Sequence, residues 1–338
     1  MSKIVSDTAQ LAFMKQLKDG LPPNISLVDA LADLLNVSND SAYRRLRGET
    51  ALSIEEICAI CKHFKISFDS FINNGNDGQV NFSYHQLNSG GSSFREYLQS
   101  IKNDLDKIVK YPDSQIIFAA EDIPIFHHFE QPLLAAFKIF YWNKSFLSDK
   151  DLENQKFDTS LVNPELISLA KSVYDSYAKI SSIEIWSDDT VNSTLKQIEF
   201  YWESGVFKRK EDVLAICDEL SVMLVRICKQ AELNCKLLQN GKSAVGDNNY
   251  ALYHSDVMIG NNCILVNMGN VRASYISCFS FNSMFTTNQS FCNETDFWLK
   301  NLVRKSNLIS GVAEKQRYRY FKKIEELMKK LREKIERD

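Results

Sequence analysis

The feature that most constrains how this chain folds is the stretch from Asn73 to Ser93, which is rich in asparagine, glycine and serine and poor in apolar residues. Such a composition is typical of a linker, because it offers little surface to bury and many residues that favour turns. The 338-residue chain is also longer than one typical core, since domains usually have about 100 to 200 residues. We therefore predict a small domain at residues 1–75, a linker at 76–93 and a larger domain at 94–338.

The composition of the whole chain is that of an ordinary globular protein, with 44% apolar and 25% charged residues. The N-terminus lacks the apolar core of a signal peptide, and no window reaches the roughly 18 apolar residues of a membrane span. We expect a cytoplasmic protein with no membrane partner. The eight cysteines are expected to be reduced. Cys58 and Cys61 form a C-x-x-C without a second Cys or His pair at zinc-finger spacing, so we expect no metal and no cofactor.

The small domain is predicted to be a bundle of five short helices, because apolar residues recur at helical spacing after residues that favour helix starts. The predicted helices run from Thr8 to Lys18, from Asn24 to Leu35, from Asn39 to Leu46, and onward from Ser53 and from Ser67. Ser38 is the expected N-cap of the third helix, and Gly48 is expected to end it. Two helices joined by the turn Asn36-Val37-Ser38 are the parts of a DNA-reading helix-turn-helix.

These residues resemble the Cro/repressor (XRE-type) family of helix-turn-helix regulators over about residues 8–73. The resemblance rests on three segments in the family's order, Ala30-Leu31-Ala32-Asp33-Leu34-Leu35-Asn36-Val37-Ser38, Arg47-Gly48-Glu49 and Leu52-Ser53-Ile54-Glu55-Glu56-Ile57. It implies that the helix from Asn39 to Leu46 is the recognition helix. The family often begins this helix with a glutamine that reads adenine. Here Asn39 takes that position, and asparagine can make the same bidentate contact with a shorter reach.

The recognition helix carries the candidate DNA contacts, whereas its Ala42 and Leu46 are expected to be buried. Those expected to reach base edges are Asn39, Ser41, Tyr43 and Arg44, and those expected to reach phosphates are Arg45 and Arg47. Three arginines fall within five residues, although residues 1–75 hold eight Lys or Arg against nine Asp or Glu. This clustering favours DNA binding over the alternative that the bundle only contacts another protein.

The overall charge of the chain indicates that one copy alone would bind DNA weakly. A net charge of −3 argues against a generally basic nucleic-acid binder, and a small domain with few cations would bind DNA weakly alone. We therefore expect double-stranded DNA and a second copy of the chain as partners. A short heptad seam on the last helix is formed by Phe321, Ile324, Met328, Leu331 and Ile335. The same spacing fits an amphipathic helix packed on its own domain, and the sequence leaves both alternatives open.

The larger domain is predicted to be a mixed α/β (α+β) domain with a single sheet, which makes the whole chain multidomain. A buried strand is expected at 115–120, and three strands at 250–259, 263–268 and 273–281 are expected to form an antiparallel meander. Helices are expected at 94–109, 125–146, 164–180, 190–202, 210–233, 291–308 and 313–338, with Pro132 starting or breaking the second of them.

Catalytic motifs are missing from the sequence of this larger domain: it has no P-loop, no dinucleotide-binding glycine motif, no nucleophile elbow and no H-E-x-x-H. Glu121-Asp122 after a predicted strand is the best acidic pair, but two carboxylates alone specify no reaction. For His127-His128 we favour packing over metal binding. In the segment 182–190 we favour helix capping by Asp188 or Asp189. The many aromatic residues are expected to form core and to leave room for a small-molecule pocket.

The sequence thus predicts a homodimeric transcriptional regulator that binds specific DNA through an N-terminal helix-turn-helix. Its larger domain would sense a small-molecule effector or a protein partner rather than act as an enzyme. One alternative makes the larger domain a hydrolase-like enzyme that is targeted or autoregulated by DNA binding, with Glu121 or Asp122 in its active site. A second alternative is an interaction scaffold without a ligand.

Overall fold

A computed structural model describes residues 2–19, 26–64, 66, 68, 78–87, 91–147, 151–158, 163–238, 241–244, 248–279 and 281–337. The helix predicted to begin at Ser67 lies outside these residues, as do parts of the predicted linker. The chain forms two compact units. The small unit comprises Met1–Ser83 and Thr286–Phe291, and the large unit comprises Tyr84–Phe285 and Cys292–Asp338.

Four helices of the small unit are described, namely α1 (Ser2–Asp19), α2 (Leu27–Leu35), α3 (Asn39–Leu46) and α4 (Ile54–Phe64). The predicted bounds of α3 and its N-cap are confirmed, because the Ser38 hydroxyl accepts the N–H of Ser41 at 3.3 Å. The start of α2 differs from the prediction, since Ser26 caps it and not Asn24. The cap of α4 is reciprocal: Ser53 accepts the N–H of Glu56, whose carboxylate accepts the N–H of Ser53.

Left-handed backbone ends the two helices of the α2–α3 pair. Asn36 has φ 52° after α2, and its N–H bonds back to the helix. Gly48 has φ 72° just after α3, where a side chain would be strained. The turn between α2 and α3, Asn36-Val37-Ser38, is only three residues long.

The core of the small unit joins all four helices. Its most buried side chains include Phe13, Leu31, Ala42 and Ile60. Gln10 of α1 adds polar bonds, because its side-chain amide donates to the carbonyls of Arg45 and Thr50, each at 2.8 Å, and accepts the N–H of Leu52 at 3.1 Å. The loop after α3 is therefore held against α1.

One mixed sheet of eight strands is present among the described residues, in the order β1-β7-β6-β5-β2-β3-β4-β8. The strands are β1 (Ser83–Tyr84), β2 (Gln115–Ala120), β3 (Ser181–Ser187), β4 (Tyr250–Ser255), β5 (Cys263–Met268), β6 (Val271–Cys278), β7 (Asn282–Thr286) and β8 (Asn307–Leu308). The central strands β2, β3 and β4 are parallel, and β5 runs antiparallel to β2. This sheet and the helices around it confirm the coarse α+β prediction.

Helices cover both faces of the sheet. They are α5 (Gly91–Val109), α6 (Ile125–His128), α7 (Pro132–Ser145), α8 (Pro164–Tyr177), α9 (Asn192–Glu203), α10 (Lys210–Leu233), α11 (Gln289–Lys305) and α12 (Glu314–Arg337). Side chains of β2 alternate between two apolar clusters. Ile116 and Phe118 belong to the main core, whereas Ile117 and Ala119 pack in a second cluster that includes Leu299 of α11. A strand buried on both faces needs such a continuous apolar run.

Two sequence predictions about the sheet are wrong. The segment 181–187 is the central strand β3, although it was expected only to precede a helix, and neither Asp188 nor Asp189 caps α9, whose N-cap residue is Val191 without a side-chain bond. The meander is wrong in its first half, because β4 lies beside β3 and β8 and not beside β5, whereas β5 and β6 pair antiparallel as predicted. The strands β4 and β5 are consecutive in the sequence and were therefore expected to pair. In the sheet, β2 and β3 lie between them.

The last helix, α12, packs on α10 and α9 of its own chain. Four of the five seam residues are buried in the main core, namely Ile324, Met328, Leu331 and Ile335. Of the two alternatives for this heptad spacing, the structure therefore supports the amphipathic helix that packs on its own domain. Phe321, the fifth seam residue, is partly buried against the same core.

Candidate functional site

The exposed face of α3 comprises Asn39, Tyr43, Arg44 and Arg47. The side chains of Arg44 and Arg47 are 58% and 57% exposed, and Tyr43 is 43% exposed. Ala42 is buried on the opposite side, as predicted, and Leu46 is partly buried against the same core. Helix α3 is thus held by one side while its other side carries two cations, an aromatic ring, an amide and the exposed carboxylate of Asp40. Ser41 is half-buried and lies at the edge of this face.

Arg45 is bound inside the small unit. Its guanidinium donates two hydrogen bonds to Glu56 Oε1, at 3.0 and 2.8 Å, and a third to the carbonyl of Ser41 at 3.2 Å. The two side chains of this ion pair are 17% and 19% exposed. The hydrogen bonds from Arg45 lower the pKa of Glu56 against the opposing effect of burial. Arg45 therefore connects α3 to α4, and its donors are used within the protein.

Arg44 and Arg47 share one carboxylate. Glu49 Oε2 lies 3.8 Å from Arg44, and Glu49 Oε1 lies 3.6 Å from Arg47. The guanidinium of Arg47 also lies over the Tyr43 ring, 4.4 Å from its centroid. These contacts are long and exposed, so both arginines remain available to an anion that competes with Glu49.

The first residue of α3 is tied to the preceding helix. Asn39 Nδ2 donates to the carboxylate of Asp29 at 3.1 Å, across an exposed contact. This bond orients the amide at the N-terminal end of α3. This bond uses one of the two N–H groups of Nδ2.

The large unit contains a cavity of about 180 Å³ between α5 and the sheet. Its inner walls are apolar, with Ile116, Phe118 and Val266 from the strands and Ile123 after β2. Of the aromatic residues expected to form core or pocket, Phe126, Trp142, Phe281 and Phe285 line it. A mostly apolar, concave site with a few polar groups is the usual form of a small-molecule site.

Other aromatic residues from the same prediction lie elsewhere. Phe129, Phe137, Phe140, Trp186 and Tyr201 are packed in the main core. Phe279, Phe297 and Trp298 are exposed on the surface. Aromatic content alone therefore predicted a pocket but not which side chains would line it.

Glu121 and Asp122 follow β2 directly, at the carboxyl end of a parallel strand. Strand β5 runs antiparallel to β2, so Asn262, the residue before β5, lies beside this end of β2. Asn262 Oδ1 accepts the N–H of Glu121 at 2.8 Å and the N–H of Asp122 at 3.2 Å. Asp122 lines the cavity, whereas Glu121 does not. Burial, and then the neighbouring Asp122 charge, raise the pKa of Glu121. Of the acidic pair, only Asp122 is therefore placed to contact a molecule in the cavity.

A polar cluster behind Asp122 is fully buried. Thr194 donates to Asp122 Oδ1 at 3.2 Å, and Lys138 Nζ donates to Thr194 at 2.9 Å and to Gln197 at 2.8 Å. His128 Nε2 lies 3.0 Å from the Thr194 hydroxyl. Burial, followed by the Lys138 charge, lowers the pKa of His128. Because Thr194 and Lys138 have no exposed surface, this hydroxyl cannot reach a molecule in the cavity, and the cluster instead fixes the position of Asp122.

A second buried cluster, which sequence reasoning missed, surrounds Glu184 on β3. Its carboxylate accepts hydrogen bonds from Tyr177 at 2.5 Å, Trp186 at 2.9 Å and Tyr250 at 3.1 Å, and lies 2.8 Å from His127 Nε2. Burial opposes ionisation of Glu184, but its bonds with His127 and Tyr177 lower its pKa. The one sequence signal that could have indicated this cluster is a glutamate, Glu184, within an otherwise apolar strand pattern. The carboxylate is fully buried and has four partners, so this cluster is part of the core and has no surface open to a ligand.

Two further observations concern only the described residues. None of the described helices is long and apolar enough to cross a membrane. Within the described residues no group of three or more His, Cys, Asp or Glu is placed to hold a metal ion. Comparison of the chain with protein-family models, curated proteins and solved structures found no match. The function is therefore argued from the geometry of the exposed face of α3 and of the cavity.

Proposed function

We propose that this protein is a transcriptional regulator that reads a specific DNA sequence through α3 and senses a small molecule or partner through its large unit. The observation that carries the proposal is the exposed face of α3, where Arg44, Arg47, Tyr43 and Asn39 stand on a short helix anchored by its opposite side. A helix-turn-helix places the N-terminal residues of its second helix at base edges in the major groove. The side chains on this face have the chemistry that base edges and phosphates require.

The contacts of each side chain suggest its role on DNA. Asn39 can bind adenine with one donor and one acceptor, and Arg44 can bind guanine with two donors. Tyr43 presents a ring and a hydroxyl, and Arg47 at the end of the helix is closer to a phosphate. Arg45 has its donors on Glu56, so we now propose that it positions α3 instead of contacting a phosphate. Ser41 keeps its proposed role at the base edges.

The proposal is tested by selecting binding sites for the purified full-length chain from random duplex DNA and sequencing them. An enriched motif is expected, and the paired change of Asn39 and Arg44 to alanine should remove it. Lys62→Ala is the matched control, since this exposed cation of α4 lies outside the exposed face of α3. Selection that enriches no motif, or a motif that survives the paired change, would contradict the proposal.

We also propose a homodimer, with its interface on the exposed rim of the groove between α10 and α12; the seam residues Phe321, Ile324 and Met328 line this groove from inside. Val222 and Val225 of α10 and Tyr318 of α12 are 56%, 71% and 64% exposed. The groove beside them carries charges of both signs, with Lys229 and Glu232 on α10 and Lys322 and Glu325 on α12. A two-fold axis brings one patch against itself, so a patch that bears both signs can complement its own copy. The expected occupant is therefore a second copy of this chain.

Sedimentation tests the dimer. We expect a dimer at micromolar concentration and a monomer for Val225→Asp, whereas Val257→Asp, at an exposed valine outside the groove, should remain dimeric. A wild-type monomer, both free and bound to DNA, would contradict this proposal.

A further inference from the structure

The cavity of the large unit is lined by charge of one sign. Two carboxylates, Asp104 and Asp122, belong to its lining, and none of the described side chains that line it is a lysine or an arginine. Asp104 pairs with Lys107 at 3.0 Å, where both side chains are more than one-third exposed. The carboxylate at the end of β2 is therefore the charge that a ligand inside the cavity would meet.

Asp122 has acceptor capacity left for a ligand. Its Oδ1 accepts the N–H of Ile123 at 2.8 Å and the hydroxyl of Thr194 at 3.2 Å. Its Oδ2 forms a long ion pair of 3.5 Å with the buried Lys138, whose shorter bonds go to Thr194 and Gln197. The Asp122 side chain is 24% exposed. An ionised carboxylate has about four lone-pair positions, so Oδ2 can accept a further donor.

Asn262 adds a donor at the same end of the cavity. Two backbone N–H groups bind its Oδ1, and this fixes which end of the amide is the oxygen. Within the described residues Nδ2 has no hydrogen-bond partner. The polar end of the cavity thus offers a carboxylate acceptor beside an amide donor.

The walls fit an aromatic or branched aliphatic body. Trp142 and Phe281 stack at 5.0 Å between ring centroids, and Phe126 lines the same cavity. Aromatic faces attract cations as well as apolar groups. A cavity of about 150 Å³ lined by apolar side chains is large enough for benzene. The 180 Å³ here therefore suits one ring with a short chain.

We propose that the cavity binds a small protonated amine with an aromatic or branched aliphatic body, whose ammonium group donates to Asp122 Oδ2. A hydroxyl or carbonyl on the ligand would accept from Asn262 Nδ2. The amine would be the molecule that the large unit senses. Its role as a signal therefore rests on the proposed regulatory function. Binding of the amine itself does not depend on DNA.

Three probes of similar size and different charge test this proposal: 2-phenylethylamine, 2-phenylethanol and 3-phenylpropanoate. Each is titrated at pH 7 into the full chain by calorimetry. Because hydrogen bonds to an ionised group are about twice as strong as neutral ones, the amine should bind about tenfold more tightly than the alcohol. The carboxylate should bind more weakly than either.

Variants connect the binding to the cavity. Asp122→Asn should lower the affinity for the amine about tenfold and leave that for the alcohol unchanged. Glu121→Gln is the matched control, because it removes a neighbouring charge that does not line the cavity. Ile101→Trp, which fills the cavity from α5, should abolish binding of the amine and the alcohol, with thermal unfolding confirming that the variant is folded.

The proposal is overturned if 2-phenylethylamine does not bind, if the carboxylate binds as tightly as the amine, or if Asp122→Asn leaves the amine affinity unchanged. DNA affinity measured with and without the amine separates this result from the regulatory role. An amine that binds the cavity without changing DNA affinity would support the site and contradict the sensing function.

Discussion

At the scale of single residues, the chemistry of the small unit depends on which arginine is already paired. Arg45 makes short bonds to Glu56 in a mostly buried pair, whereas Arg44 and Arg47 share Glu49 at more than 3.5 Å in exposed contacts. An exposed ion pair contributes only about 0.2–1 kcal/mol, so a phosphate can displace Glu49. The same carboxylate still lowers the positive potential of the exposed face of α3 before DNA arrives.

Glu49→Gln should therefore strengthen binding to all DNA sequences about two- to fivefold, because Arg44 and Arg47 lose a competing anion. The change should be largest at low salt. Fluorescence anisotropy with specific and random duplexes measures it. Asp33→Asn is the control, since it makes the same change in net charge on an exposed side chain of α2. Equal effects of the two variants would mean that Glu49 has no special position.

At the scale of elements, local sequence signals predicted the helices well. The bounds of α3 and α10 were predicted to the residue, because caps and apolar spacing are local properties. The heptad spacing of α12 was real, but a spacing does not identify its partner, and α10 of the same chain takes that place. The predicted seam is therefore part of the core of the large unit.

This placement gives a prediction for Ile335, which has no exposed surface. Ile335→Ala should lower the free energy of unfolding of the large unit by about 2–5 kcal/mol, the usual cost of such a core truncation. Denaturant unfolding at two protein concentrations measures it. The loss should be the same at both concentrations, because the side chain packs within one chain. A loss that disappears at high concentration would place Ile335 at an interface between copies.

Pairings between distant residues were beyond sequence reasoning. Strand β3 was missed because Glu184 interrupts its apolar pattern, and the donors that stabilise this carboxylate, such as His127 and Tyr250, are far away in the sequence. The cavity shows the same limit. Asp122 was noted as half of an acidic pair after a predicted strand, without a ligand. Its neighbour Asn262 is 140 residues away, and their contact follows from the antiparallel pairing of β5.

At the scale of the whole molecule, the chain forms two compact units, and the predicted linker lies around the boundary near Ser83. Its composition offers few apolar groups to bury. The small unit contains the candidate DNA contacts, and the large unit contains the cavity. The proposed regulator therefore needs both units in one chain.

Limited proteolysis of the full chain should first cut between Asn73 and Ser93, on either side of the short strand β1, because exposed linkers are the preferred sites of nicking. Mass spectrometry of the first two fragments locates the cut. Initial cleavage within α10 or the central strands, with the linker protected, would contradict the predicted domain boundary.

The most direct test of DNA reading by α3 compares Arg44→Ala with Arg47→Ala on specific and random duplexes over a range of salt. Loss of a bidentate arginine–guanine contact should weaken specific binding by about 1–3 kcal/mol and relax preference at one base pair, which is the result expected for Arg44. Arg47→Ala should weaken binding to all sequences alike and reduce the salt dependence by about one unit. If both variants lose affinity equally on specific and random DNA, with no change in base preference, α3 does not read the major groove.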